Sequence, residues 1–131
     1  MKKSVWIIDD DEIYQMIIKK IIERSDVFEA PEFFLCADVA LKRLQEIKLF
    51  PDLILVDINM PIIDGWQFLD HLQKNFAEEL KKCTVFIVSS SIAYSDKEKA
   101  ENYNEVSGFI TKPVSVESLQ IIEEEVKKSN L

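Results

Sequence analysis

The chain alternates short apolar runs with longer segments of helical periodicity, and this order constrains the fold more than any other feature. Val5–Ile8 and Leu53–Val56 are continuously apolar and rich in β-branched residues, which is typical of strands covered on both faces. Alternation with short connections predicts an α/β fold, a doubly wound parallel sheet with helices on both faces. The five predicted strands are Val5–Ile8, Phe33–Cys36, Leu53–Val56, Val85–Val88 and Gly108–Thr111. Each is followed by a predicted helix. In the same order, these helices are Glu12–Arg24, one capped by Asp38 and running to Ile47, Trp66–Phe76, one from Ser95, and one that runs to about Lys128.

Length and charge exclude several classes of partner. The 131 residues predict one domain, residues 1–131, with no output domain. The 16 basic and 24 acidic residues give a net charge of −8, which opposes binding to nucleic acid or to anionic membranes. No apolar stretch approaches about 18 residues and no signal peptide is visible. We therefore expect a cytoplasmic protein.

The scarce cysteines and glycines exclude further kinds of site. Cys36 and Cys83 lack the close spacing of a zinc site or a redox pair, so both are expected to be reduced core residues. Gly65 and Gly108 are the only glycines in the sequence. Neither a dinucleotide-binding loop nor a Walker-type phosphate loop can therefore be present.

Polar side chains follow the predicted strands at the point where each strand ends. Carboxyl ends of parallel strands meet at one edge of the sheet, where ligands of such folds bind. Carboxylates brought together there repel one another unless a cation intervenes. Oxygen ligands without histidine or cysteine favour Mg²⁺, or Mn²⁺, over zinc. The residues in question are Asp9 and Asp10 after the first strand, Asp57 after the third, Ser89 after the fourth and Lys112 after the fifth.

The sum of the charges at this edge supports phosphoryl chemistry. Three carboxylates, one divalent cation and the Lys112 ammonium sum to zero, so the loaded site does not repel an anion. Asp57 follows the most apolar strand, and a carboxylate beside a metal is a competent nucleophile toward phosphorus. Asp57 is therefore the predicted phosphoacceptor.

The residues at these strand ends resemble a known family. The stretch from Asp57 to Gly65 reads D-x-x-M-P-x-x-D-G, an acid pair precedes it, and Lys112-Pro113 follows it. Together these motifs resemble the receiver domain of two-component response regulators over essentially the whole chain. The resemblance implies a flavodoxin-like, CheY-like fold with strand order 2-1-3-4-5.

The resemblance also implies a role for each site residue. Asp9, Asp10, Asp57 and the backbone carbonyl of Asn59 would hold Mg²⁺. Lys112 and Ser89 would contact the phosphoryl oxygens. Ser89 and Phe109 would form the conformational switch, with Ser and Phe in place of the commoner Thr and Tyr. Other implied roles are tuning of the phosphate lifetime by Asn59 and Ser91, a cis Lys112–Pro113 bond, and structural roles for Gly65 and Pro113.

Function follows from the same resemblance. A stand-alone receiver would take a phosphoryl group onto Asp57 from a histidine kinase or a histidine phosphotransfer protein. It would signal through a downstream protein or pass the phosphoryl group onward, and it would not be an enzyme. The resemblance implies a monomer or a weak homodimer. The family pattern turns Ile17, Ile18, Ile21 and Ile22 of the first helix inward. Ile13 and Met16 would then be exposed for partner docking.

Three other classes of protein share parts of this pattern. A flavodoxin would need hydroxyl and glycine residues after the first strand, and Asp9–Asp11 would repel FMN. A haloacid-dehalogenase-type phosphatase would need a second aspartate at position 59, where Asn59 stands. A receiver-fold scaffold that is never phosphorylated stays open.

Overall fold

The computed structural model describes residues 2–47, 49–90 and 94–128, and these residues form five strands and six helices. The strands are β1 (Val5–Ile8), β2 (Glu32–Phe34), β3 (Leu53–Val56), β4 (Thr84–Ser89) and β5 (Val106–Thr111). The helices are α1 (Glu12–Glu23), α2 (Ala37–Ile47), α3 (Gly65–Asn75), α4 (Ala77–Leu80), α5 (Tyr94–Ala100) and α6 (Val116–Lys128). All pairs are parallel and the sheet order is β2-β1-β3-β4-β5. The predicted fold class and strand order are confirmed.

Alternate strand residues build one core on each face of the sheet. Trp6 and Ile8 point to the face that packs against α2 and α3. Val5 and Ile7 point to the face that packs against α1 and α6. The strand residues are buried on both faces, which explains why their sequences read as continuous apolar runs rather than as alternating ones.

Three local expectations need correction. The second strand runs over Glu32–Phe34, earlier than the predicted Phe33–Cys36, and the shift leaves Cys36 half-buried while Cys83 is buried. The next helix begins at Ala37, so Asp38 lies in its first turn and is not its cap. The one-turn helix α4 was not predicted, because four residues are too few for a periodic pattern. Among the described residues, no helix is long and apolar enough to cross a membrane.

Helix α1 carries its buried residues on a narrower face than the sequence suggested. Tyr14, Ile18 and Ile22 face the core, whereas Ile17 is 46% exposed and the inward placement predicted for it is wrong. Each helical residue turns by about 100°, so Ile17 lies a quarter-turn from Ile18 and leaves the contact face.

Helix α3 begins against the backbone that carries Asp57. Asp64 caps it in a reciprocal capping box with Gln67, and the Gly65 N–H donates to the Ile58 carbonyl at 2.8 Å. A Cβ at Gly65 would lie 2.6 Å from the Asp57 carbonyl oxygen and 2.9 Å from Ile58 Cα. Both neighbours are backbone atoms and cannot move independently, so only glycine fits here.

Replacing Gly65 with alanine should therefore destabilise the protein by about 1 to 3 kcal/mol, the usual cost of overpacking. Urea unfolding measures the effect. Gly108→Ala is the matched control, because its Cβ would meet only the Phe86 side chain, at 3.1 Å. Equal losses in the two variants would contradict the close backbone approach at Gly65.

Candidate functional site

The parallel ladder continues one step past the strands and fixes the backbones of the site residues. The Asp9 N–H donates to the Phe34 carbonyl, the Asp57 N–H donates to the Ile8 carbonyl and the Lys112 N–H donates to the Ser89 carbonyl, each at 3.0 Å. These bonds place the residues that follow β1, β3 and β5 at one edge of the sheet. The sequence predicted this shared edge from the order of elements.

Three carboxylates meet at that edge. Asp9, Asp10 and Asp57 each offer a carboxylate oxygen, and these oxygens lie within 4.8 Å of one another. Asp9 and Asp57 are buried and Asp10 is exposed. The donor set is all oxygen, which suits a hard divalent cation such as Mg²⁺. The group therefore fits the metal that the sequence predicts.

Lys112 neutralises part of this acidic group. Its Nζ lies 2.6 Å from Asp9 Oδ2 and 3.2 Å from Asp57 Oδ2. Burial opposes the charged ammonium, but the hydrogen bond and charge of Asp9 together with the charge of Asp57 outweigh it and raise the pKa of Lys112. Burial also raises the pKa of the Asp9 carboxyl, and the Lys112 hydrogen bond only partly offsets that rise. Holding these charges together is costly until a further cation arrives.

Backbone N–H groups hold the two buried carboxylates. Asp9 Oδ1 accepts from the Asp11 N–H at 2.9 Å, and Asp57 Oδ1 accepts from the Asn59 N–H at 3.2 Å. Asn59 itself is exposed beside the site. Each carboxylate thus presents one oxygen to the backbone and the other to Lys112, which fixes its orientation.

Ser89 and Pro113 belong to the same edge, at the ends of β4 and β5. Ser89 ends β4 and is buried, and the Lys112–Pro113 peptide bond is cis. Ser91 lies outside the described residues.

Phe109 joins an aromatic cluster on β5. Its ring meets Trp66 edge-on at a centroid distance of 6.4 Å. Trp66 also packs on Tyr103 at 5.2 Å and lies under the Lys99 ammonium at 5.4 Å. Phe109 is half-buried in this arrangement. Trp66 therefore serves packing, as its apolar context indicates.

Two residues of α1 reach the site without having been singled out from the sequence. Gln15 is buried and donates from Nε2 to the Asp9 carbonyl at 2.8 Å and to the Phe34 carbonyl at 3.1 Å, which ties the ends of β1 and β2 together. Tyr14 places its ring 4.2 Å from Lys112 Nζ. The role of Gln15 could have been suspected from its sequence, because a polar residue on the inward face of a helix needs hydrogen-bond partners. Tyr14 is one more apolar position of the helical pattern, and such a pattern gives no sign of a contact with Lys112.

Comparison with known proteins agrees with this geometry. The response regulator receiver domain family matches residues 5–123. The chemotaxis protein CheY of Halobacterium salinarum is 29% identical over 117 residues, which cover 86% of this chain and 87% of that protein. A two-component response regulator of Cytophaga hutchinsonii has a solved structure that superposes with a TM-score of 0.91 at 30% identity, covering 98% of this chain and 99% of that one.

A longer relative shares only this region. The protein-glutamate methylesterase/protein-glutamine glutaminase of Caldanaerobacter subterraneus subsp. tengcongensis is 33% identical over 92 residues, 69% of this chain. The aligned region spans 23% of that relative's length.

The chain belongs to the receiver-domain family of two-component response regulators.

Removing one carboxylate without breaking a Lys112 contact tests the metal site. Without metal, Asp10→Asn should raise the free energy of unfolding by up to about 1 kcal/mol, because it relieves repulsion in the acidic group. Saturating Mg²⁺ should stabilise the wild type by about 2.7 kcal/mol at a hundred times the dissociation constant, and the variant should lose most of that gain. Urea unfolding with and without Mg²⁺ measures both effects.

Asp26→Asn is the control, because Asp26 is also exposed but follows α1 at the opposite edge of the sheet. Equal stabilisation of Asp10→Asn and the wild type by Mg²⁺ would remove Asp10 from the metal site.

Proposed function

We propose that Asp57 accepts a phosphoryl group from the phosphohistidine of a kinase or phosphotransfer protein in a Mg²⁺-dependent reaction. The observation that carries the proposal is the surroundings of Asp57, which offers a carboxylate oxygen within 4.8 Å of those of Asp9 and Asp10 and has its Oδ2 3.2 Å from Lys112 Nζ. The chain then signals through phosphorylation-controlled contacts with a downstream protein or passes the group onward.

The transfer requires one bond to form and one to break. An Asp57 carboxylate oxygen attacks the phosphorus atom, and the nitrogen–phosphorus bond of the partner breaks. The electron pair of that bond stays on the ring nitrogen, and the imidazole takes up a proton from water and leaves as the neutral base. The product is an acyl phosphate on Asp57. In-line geometry and charge stabilisation supply most of the catalysis of such a transfer.

Each neighbouring residue has a defined task. Asp9, Asp10, Asp57 and the Asn59 carbonyl would hold Mg²⁺, which supplies charge neutralisation at the phosphoryl oxygens. Lys112 needs to move only from its carboxylate partners to a phosphoryl oxygen on the same Asp57 side chain. Ser89 stands at the neighbouring strand end and offers a hydroxyl to another oxygen.

Phosphorylation adds roughly one to one and a half negative charges to a site that is neutral when loaded. We propose that Ser89 and the half-buried Phe109 respond to this change. Phe109 lies on β5, and this strand leads directly into Lys112. The ring of Phe109 packs on Trp66. The signal would therefore reach the surface through β5 and its aromatic cluster. Asn59, exposed beside Asp57, would tune the lifetime of the acyl phosphate, a role also proposed for Ser91.

This role is that of a phosphoacceptor rather than of an esterase. The esterase named among the relatives is a longer protein of which the aligned region spans 23%. The charges and distances at the carboxyl edge support phosphoryl transfer instead.

Incubation with acetyl phosphate and Mg²⁺ should add one phosphoryl group to the wild-type chain, as measured by intact-protein mass spectrometry. Asp57→Asn should abolish the increment, because the amide is a far weaker nucleophile than the carboxylate. Asp26→Asn should be phosphorylated normally. An increment that persists in Asp57→Asn would refute the assignment, and a wild type that takes no phosphoryl group would favour the scaffold alternative.

Exposed apolar side chains surround this edge and suit the docking of a partner. Ile13 is 74% and Met16 is 66% exposed at the start of α1. Ile62, in the loop after Asp57, is 89% exposed and adopts a left-handed φ of 70°. That backbone conformation is unfavourable for a β-branched residue by about 1 to 2 kcal/mol. We propose that contact with the phosphohistidine partner buries these three residues.

Ile13→Lys should slow phosphotransfer from a phosphorylated histidine phosphotransfer protein about tenfold or more, the effect expected when an interface anchor is lost. It should leave phosphorylation by acetyl phosphate unchanged, and so should Met16→Lys. Phosphoprotein gel kinetics measure both reactions. Leu49→Lys is the control, because Leu49 is 78% exposed but precedes β3 at the other edge. Equal slowing with both phosphodonors would refute docking by this surface.

A further inference from the structure

We propose that Tyr14 is a positioning residue whose ring holds the Lys112 ammonium at the phosphoacceptor site throughout metal binding and phosphoryl transfer. The contact would keep the Lys112 ammonium in place beside the acidic group. Its kinetic consequence rests on the proposed function, whereas the contact between ring and ammonium does not.

The geometry is that of a buried cation–π contact. Lys112 Nζ lies 4.2 Å from the centre of the Tyr14 ring, inside the distance of about 6 Å at which such contacts are attractive. Tyr14 is 6% exposed and the Lys112 side chain is 11% exposed. Exclusion of water strengthens the attraction between an ammonium and a ring face.

The ring differs in kind from the other two partners of the ammonium. Asp9 and Asp57, at 2.6 Å and 3.2 Å from Nζ, both belong to the acidic group that would hold the divalent cation. A cation drawn to these carboxylates competes with Lys112 for them. The Tyr14 ring carries no charge and does not bind a hard cation. It is therefore the contact of the three that persists when the carboxylates turn toward the metal.

Holding Lys112 matters because its stem is flexible. An ammonium released by both carboxylates has four rotatable side-chain bonds with which to leave the site. Contact with the ring restricts that freedom and keeps the charge within reach of Asp57, where negative charge develops during the transfer.

The ring rather than the hydroxyl performs this task. The Tyr14 hydroxyl is buried and has no hydrogen-bond partner within the described part of the chain, so it does not orient the ring. Two other features do. The Tyr14 N–H donates to Asp11 Oδ1 at 3.0 Å and fixes the start of α1, and the side chain packs in the core cluster that includes Ile18 and Val114. Phenylalanine should therefore replace Tyr14 in this role.

Two measurements test the inference on the full chain. In the metal-free protein, the ring current of Tyr14 should shift the ε-methylene protons of Lys112 upfield in a carbon–proton NMR spectrum. Tyr14→Phe should keep that shift, and Tyr14→Leu should lose it. With acetyl phosphate and saturating Mg²⁺, Tyr14→Leu should be phosphorylated about five- to thirtyfold more slowly, which corresponds to about 1 to 2 kcal/mol. Tyr14→Phe should react at close to the wild-type rate.

Phe28→Leu is the matched control. Phe28 is a buried aromatic of the same core cluster, and it pairs by backbone with Lys3 at the other end of the sheet. Its loss should lower stability without slowing phosphorylation. If Tyr14→Leu does not fold, Tyr14→Met supplies an unbranched apolar side chain that lacks a ring.

The outcomes separate the two proposals. An unchanged Lys112 shift in the ringless variant, or equal slowing in Phe28→Leu, would overturn the role of Tyr14. A wild type that acetyl phosphate does not modify would overturn the proposed function, and the Lys112 shift would still decide whether the ring holds the ammonium.

Discussion

The parallel register of β1 and β3 is the constraint on which the rest of the site depends. Ile8 pairs with Val56, so the next residue of each strand is an aspartate at the same height on the sheet. The Asp57 N–H then closes the ladder on the Ile8 carbonyl. Because side chains alternate along a strand, a slip of one residue would turn the apolar set of β3 to the other face and separate the two carboxylates. Packing of the buried strands thus sets the geometry of the acidic group.

Electrostatics at this edge work against stability and in favour of binding. The carboxylates of Asp9, Asp10 and Asp57 share the space with the Lys112 ammonium, and burial raises the pKa of Asp9 despite its contact with Lys112. The site retains excess negative charge that a divalent cation would relieve. Such a site is a poor device for holding a fold together, since burying like charges costs free energy that the apolar cores must offset. The same excess charge favours binding of a divalent cation, and the neutralised site can then accept an anion such as a phosphoryl group.

The sequence predicted the larger part of this arrangement. The runs Val5–Ile8 and Leu53–Val56 are strands with the predicted bounds, because continuous burial leaves a continuous apolar signal. Edge strand β2 was misplaced, since it pairs only with β1 among the described strands and carries a weaker pattern. The exposure of Ile17 was missed because two adjacent isoleucine pairs, Ile17-Ile18 and Ile21-Ile22, fit more than one rotation of the helix.

Residue order by itself determined that the acids, the serine and the lysine would lie where parallel strands end, at one edge of a sheet, because connectivity and apolar burial can both be read from the chain. Tertiary structure alone decided which atoms meet. The contact of Lys112 with the Tyr14 ring joins residues 98 positions apart, on α1 and on the segment after β5. The bond from Gln15 to Phe34 likewise crosses from α1 to β2. Such contacts depend on helix rotation and on side-chain rotamers, which periodicity leaves open and only the packed core selects.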